Sequence, residues 1–272
     1  MLKENDFSRL ELKLGACRDN YRYFRGLLEP TTKLLVLVKA NAYGHGAVEF
    51  AAMMQKEGAD YLAVAYPIEG MELRRSGISL PILVLTAGTD YYNEIIDSRL
   101  EPGIPNIYSL RILCDTLEKR GITDFPIHIK LDTGMHRLGF DPENDMEELI
   151  GKLKHQNAII PRSVFSHFVG SDDDSFDDFS AHQFELFDKG SKQLQAAFDH
   201  KILRHICNSA GIEHFPERQL DMCRLGLGLY GINSRNNKTI NCVSTLKTTI
   251  LQMHHVKAGD SVGYSRKTIL EL

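Results

Sequence analysis

The chain has 272 residues, room for one large domain or for one domain and part of another, and enough to bury a sizeable core. Lys and Arg number 32 against 36 Asp and Glu, a net charge of −4 that leaves no electrostatic footprint for nucleic acid or an anionic membrane. Hydrophobic residues at 43%, charged residues at 25% and no Trp exclude a disordered or fibrous chain.

Cys17, Cys114, Cys207, Cys223 and Cys242 are scattered and never form a C-x-x-C pair, which argues against a disulfide framework or a zinc site and fits a reducing cytoplasm. The start, Met1–Asp6, is acidic where a signal peptide needs an apolar run. No apolar stretch approaches the ~18 residues of a membrane span.

In chain order, Leu10–Leu14 alternates apolar and charged residues as a half-buried strand does, and Cys17, Tyr21, Phe24 and Leu28 follow at helical spacing. Eight short apolar runs come next: Leu34–Val38, Tyr61–Ala65, Ile82–Leu85, Leu100–Ile104, Ile127–Leu131, Val164–His167, Ile202–Cys207 and Met222–Gly226. Such runs suit strands buried on both faces. The stretches Ala47–Lys56, Asn106–Lys119, Asn144–Lys154 and Phe179–Phe198 are long enough for covering helices. This parallel β/α alternation over roughly 200 residues predicts a (β/α)8 TIM barrel, with an open doubly wound sheet as the alternative. In a barrel, chemistry sits where strands end and loops begin.

From about Ile240 the texture turns β-branched, through Val243–Ile250 and Ser261–Tyr264, and reads as the start of a separate β domain that is incomplete at Leu272. The expected layout is residues 1–14 as an N-terminal strand associated with that β domain, 15–238 as the barrel, and 239–272 as the start of the β domain. The acidic run Asp172–Asp178 lacks the glycine and terminal glutamate of a calcium loop, and reads as an exposed loop and helix start. No metal is expected.

Lys39 ends the first barrel strand, just before the glycine-bearing loop Ala40–Gly46. Partly desolvated there, its amine could attack a carbonyl, although a lone lysine reads as readily as a solvated strand terminator. His128–Gly139 packs Lys130, Asp132 and Arg137 around a strand end, suiting either anion recognition or a surface ion-pair cluster. His167 closes another strand, a place where histidine is commonly structural. Asn208 and Ser209 could cap a helix and bind an anion, and Arg224 precedes Gly226 and Gly228, which admit a ligand close to backbone N–H groups. Each signal is weak alone. Together they put an amine, an anion pocket and several cations at one barrel mouth, as a phosphorylated carbonyl cofactor requires.

The segments Val38–Gly46, Lys130–Gly139, Asn208–Ala210 and Arg224–Gly231, with Val262–Arg266, resemble in order and spacing the motifs of bacterial alanine racemase, over Leu10 to about Lys267. The resemblance implies a pyridoxal 5′-phosphate (PLP) enzyme of barrel type that interconverts L- and D-alanine for the cell wall. Lys39 would hold PLP and serve one face of Cα, and Tyr264 would be the base on the other. Arg224 would meet the pyridine nitrogen, oriented by His205. Tyr43, Asn208, Ser209, Gly226 and Leu227 would surround the phosphate. Arg137 would contact the phenolate oxygen and the substrate, and His167 the catalytic tyrosine. Lys130 matches a lysine that is carbamylated in many members and pairs with that arginine.

The resemblance also implies a head-to-tail homodimer in which Tyr264 acts on the partner's barrel. The chain further looks like the racemase half of a fusion with a cell-wall peptide ligase. It departs from the pattern at His136, where glycine is common, and in the C-terminal β domain, which in the family continues past residue 272. Two alternatives remain open at this point: a PLP-binding carrier or regulatory protein without turnover, and a racemase for another small amino acid such as serine.

Overall fold

The computed structural model describes residues 7–232 and 240–271. Two compact units divide the chain: one formed by residues up to Leu12 together with those from Ser244 onward, the other by Lys13–Val243.

In the first unit, β1 (Ser8–Leu12) pairs antiparallel with the late strand Ser244–Thr248, with Leu10 opposite Leu246. The strand begins and ends two residues earlier than the alternation Leu10–Leu14 predicts, because Leu14 already belongs to the following helix. Ser261–Val262 and Thr268–Ile269 form a second small antiparallel pair.

The larger unit starts with α1 (Leu14–Gly26), which buries Cys17, Asn20, Tyr21 and Phe24 along one side. There follow β2 (Lys33–Leu37), α2 (Lys39–Gly44), α3 (Ala47–Glu57), β3 (Tyr61–Val64), α4 (Pro67–Arg75), β4 (Ile82–Val84), α5 (Tyr92–Asp97), β5 (Glu101–Ile104) and α6 (Ile107–Lys119). The second half is β6 (Phe125–Lys130), α7 (Met146–Lys154), β7 (Ile159–Phe165), α8 (Asp177–Ala196), β8 (Leu203–His205), α9 (Ser209–His214) and β9 (Met222–Leu225).

Strands β2 to β9 form one parallel sheet in the order β8-β7-β6-β5-β4-β3-β2-β9. Its two ends meet: Asp221 N–H donates to the Arg204 carbonyl (3.1 Å) and Arg224 N–H to that of Cys207 (3.0 Å). The sheet therefore closes, and the (β/α)8 barrel read from the eight apolar runs is borne out. Leu34–Val38 and Leu62–Val64 are buried, as strands covered on both faces must be.

The sixth barrel strand, β7, begins at Ile159, five residues before the apolar run Val164–His167. Pro161 and the exposed Arg162 disguise its first half. A register shift accommodates them: Ile127 of β6 faces Pro161, and His128 faces Ser163. Asp172–Phe176 is an exposed turn leading into α8, whose first residues are Asp177 and Asp178, with the Asp173 side chain accepting from Ser175 N–H (2.9 Å). Among the described residues no helix is long and apolar enough to cross a membrane.

Candidate active site

Lys39 follows the buried Val38 at the carboxyl end of β2, and the chain then turns against the usual hand. Ala40, Asn41, Ala42 and Tyr43 all have φ between 51° and 54°, so α2 is a left-handed turn. This hand crowds Cβ against the next carbonyl in any L-residue but glycine, so neighbours must hold it. Ala42 N–H donates to the Val38 carbonyl (2.9 Å), and Gly46, at φ +96°, brings its N–H to the Asn41 carbonyl (3.0 Å). Glu69 on α4 takes the N–H of Ala40 at one carboxylate oxygen (2.5 Å) and those of Ala65 (2.6 Å) and Tyr66 (3.0 Å) at the other. One carboxylate thus pins two strand-end loops. The Lys39 amine is half-buried, and its pKa is held below the ordinary lysine value chiefly by burial and then by the Arg137 charge, with Glu69 opposing.

Across the mouth, Asn208 caps α9, its Oδ1 accepting from Gly211 N–H (2.9 Å) and from the Ser171 hydroxyl (2.8 Å). Ser209 Oγ accepts the N–H groups of Gly226 (2.9 Å) and Gly228 (3.2 Å). With both lone pairs taken, its own proton is left to donate. A Cβ placed on Gly226 would lie 3.2 Å from the Tyr43 hydroxyl. A side chain there would crowd the Tyr43 hydroxyl, so glycine gives the cradle its room. Burial pushes the Tyr43 hydroxyl up to about 12, so it too remains a donor. The cradle accordingly offers neutral O–H donors and backbone, the donor set that a phosphate group fits.

Lining the same mouth is Arg224, only 3% exposed. Its Nη1 donates to His205 Nδ1 (2.9 Å) and the His205 carbonyl (3.2 Å), and its Nη2 to the carbonyls of Ser166 (2.6 Å) and Ile206 (2.9 Å) and to His167 Nδ1 (3.1 Å). Both histidines accept from a group that cannot accept in return, so both are neutral at the bonded nitrogen. Burial, with the Arg224 charge next, holds each well below the usual histidine value.

Lys130 at the end of β6 completes the cationic wall. Burial, then Arg224 and Arg137, pushes its amine down to about 7 against the opposing pull of Asp132. Arg137 is exposed on the loop after β6, whose shape Asp132 sets by accepting the N–H groups of Gly134, Met135 and His136, each at 3.0 Å. His136 has φ 52°. That backbone explains why glycine suits the position, and histidine is among the side chains that tolerate it best.

Two adjoining cavities of about 340 Å³ each share Leu37, Lys39, Met135, His167 and Arg224. The first adds Tyr43, Asn208, Ser209, Gly226 and Leu227, and the second adds Lys130 and Arg137. His205 lies behind Arg224, fully buried. Every site residue read from the barrel sequence therefore lies at one mouth or directly behind it. Tyr264 belongs to the other unit, where it opens a single 3-10 turn and is 98% exposed. Sequence reasoning missed Glu69, although Pro67 and Glu69 at the first and third positions of α4 are a legible helix-start signature.

The chain is thus a closed β/α barrel with a half-buried amine of lowered pKa, a hydroxyl-lined cradle and a cationic wall at its carboxyl mouth. Residues 12–234 match the family model described as alanine racemase, N-terminal domain. The alanine racemase of Methanococcus maripaludis is 36% identical over 251 residues, covering 90% of this chain and 66% of the relative. That of Synechocystis is 34% identical over 268 residues, covering 96% of this chain and 71% of the relative. Among solved structures, alanine racemase from Clostridium difficile 630 superposes with a TM-score of 0.87 at 31% identity, covering 98% of this chain and 71% of that one. The chain belongs to the alanine racemase family. It spans about two thirds of the length of these relatives.

Proposed function

We propose that the protein is a cytoplasmic alanine racemase that interconverts L- and D-alanine with PLP as cofactor and so supplies D-alanine for peptidoglycan. One observation supports this above the others: the partly desolvated Lys39 amine shares one mouth with a neutral phosphate cradle and an arginine held in place through Nη1 and Nη2. When bound, PLP would supply the carbonyl that the amine takes up and the electron sink that acidifies the substrate Cα–H.

The chain's own residues do the rest. Tyr43 and Ser209 donate to the phosphate, and Gly226 and Leu227 let it approach the backbone. Arg224 meets the ring nitrogen as a donor that does not release its proton, which limits how far charge can spread into the ring. Arg137, on the open side, receives the phenolate oxygen and the substrate carboxylate. His167, neutral and held by Arg224, adds no charge beside them.

Racemisation needs a base on each face of Cα, because a single base returns the proton to the side it came from. Lys39 serves one face. Tyr264 serves the other in this reading, delivered by a second copy of the chain in a homodimer. Residues 1–14 and 239–272 are read as parts of the β domain that carries it.

Replacing Lys39 with Ala should abolish both the visible band of lysine-bound PLP and the exchange of alanine Cα–H in deuterated water. Tyr264→Phe should keep the band and lose exchange from one enantiomer. An unchanged spectrum in Lys39→Ala overturns the assignment. A band without exchange in the parent chain leaves a PLP holder, and exchange confined to serine moves the substrate.

A further inference from the structure

Arg224 is a buried guanidinium with no carboxylate at ion-pair distance among the described residues; all five of its contacts are carbonyls or imidazole nitrogens. A charge in that position needs compensation from somewhere. The structure offers it along one line of side chains inside the barrel. His205 Nε2 lies 2.9 Å from Ser163 Oγ, Ser163 Oγ lies 2.5 Å from His128 Nδ1, and His128 Nε2 lies 2.8 Å from Glu101 Oε2. These residues stand on β8, β7, β6 and β5, four neighbours in the sheet. Ser163, His128 and His205 are wholly inaccessible, and the Glu101 side chain is 13% exposed.

Counting protons fixes the direction of every bond. The guanidinium has no acceptor, so His205 Nδ1 accepts and its Nε2–H donates to Ser163. The single hydroxyl proton of Ser163 then goes to His128 Nδ1, which leaves His128 Nε2–H to donate to the Glu101 carboxylate. A doubly protonated His128 would instead send a second N–H to Ser163 and strand the buried hydroxyl proton without an acceptor. Only the one-way chain satisfies all five groups.

We propose that Ser163, His128 and Glu101 are positioning residues for Arg224, forming a relay that carries the compensating charge of Glu101 across the barrel to an arginine that has no acidic partner of its own. Neighbouring bonds in such a chain polarise one another, so each imidazole becomes a better acceptor than it would be alone. The arrangement stabilises the guanidinium while keeping carboxylates, which could pass a proton, away from it. At the far end the Tyr61 hydroxyl and the Arg74 guanidinium interact electrostatically with Glu101. The relay itself stands on geometry alone, and its effect on turnover rests on the racemase reading.

The test uses the full chain labelled with 15N-histidine. Nitrogen NMR should find His205 and His128 both neutral and protonated at Nε2. Glu101→Gln keeps an oxygen that can accept from His128 but removes the charge, so the parent fold should persist while the His205 Nδ1 resonance moves. Ser163→Ala cuts the line, and Glu101→Gln should then add no further movement of His205. The proposal is overturned if Glu101→Gln leaves His205 unmoved, if its effect survives intact in the Ser163→Ala background, or if His128 carries two protons. With PLP added, Glu101→Gln should also shift the visible band and lower kcat with KM little changed. A chain that bound no PLP would refute the racemase reading, yet the histidine spectra would still decide the relay.

Discussion

Replacing Arg224 with Lys keeps the charge and removes the fork. Arg224 makes five contacts, two through Nη1 and three through Nη2, spread over His205, Ser166, Ile206 and His167. An ammonium has three protons on one atom, so at least two contacts are lost. A hydrogen bond to a charged group is worth about 1.5–3 kcal/mol, which puts the loss at roughly 3–6 kcal/mol before relaxation. Because the carbonyls left behind are buried, little water can replace the missing donors. A net destabilisation of about 3 kcal/mol is expected, or a fall in Tm of roughly 6–12 °C for a domain of this size. Urea unfolding of parent and variant measures it directly, and an unchanged m-value would show that the native packing survives. A loss below about 1 kcal/mol would refute the view that the fork geometry holds these four residues together.

Two further substitutions probe the site's supports. Gly228→Ala sets a Cβ against the ring of Phe24, 2.5 Å from its Cε2, in a part of the core where Phe24 is fully buried; thermal unfolding should show a cost of about 2–3 kcal/mol. Lys130, at about 7 in the fold against 10.5 when free, binds fewer protons folded than unfolded between those values. Stability should therefore climb with pH through that window and carry the full penalty below pH 7. Lys130→Met should flatten the climb and stabilise the protein most at pH 6, as denaturant curves at a series of pH values will show.

The strands of the barrel were legible because burial on both faces writes itself as uninterrupted apolar residues, as at Leu34–Val38 and Tyr61–Val64. By contrast, β7 hides its start behind Pro161 and Arg162, residues that a bulge tolerates and an apolar count rejects. The mouth residues were legible as types at strand ends, and the family motifs supplied their roles. Three features could not be read in advance. The turn Ala40–Tyr43 contains no glycine to announce a left-handed path. Glu69 acts on Ala40 across 29 positions of sequence. The line from Glu101 to Arg224 depends on strand register, which brings together residues 27, 35 and 42 apart one pair at a time.

The left-handed turn after Lys39 has a consequence for anyone who would move this site elsewhere. Each of its four residues gives up roughly 1–2 kcal/mol relative to the right-handed path. A peptide of the same letters, cut free, would wind the other way or not at all. The address of the lysine is thus written in Glu69 and the barrel wall as much as in the segment that carries it. A graft of Lys39–Gly46 onto another scaffold would transplant the amine without its aim.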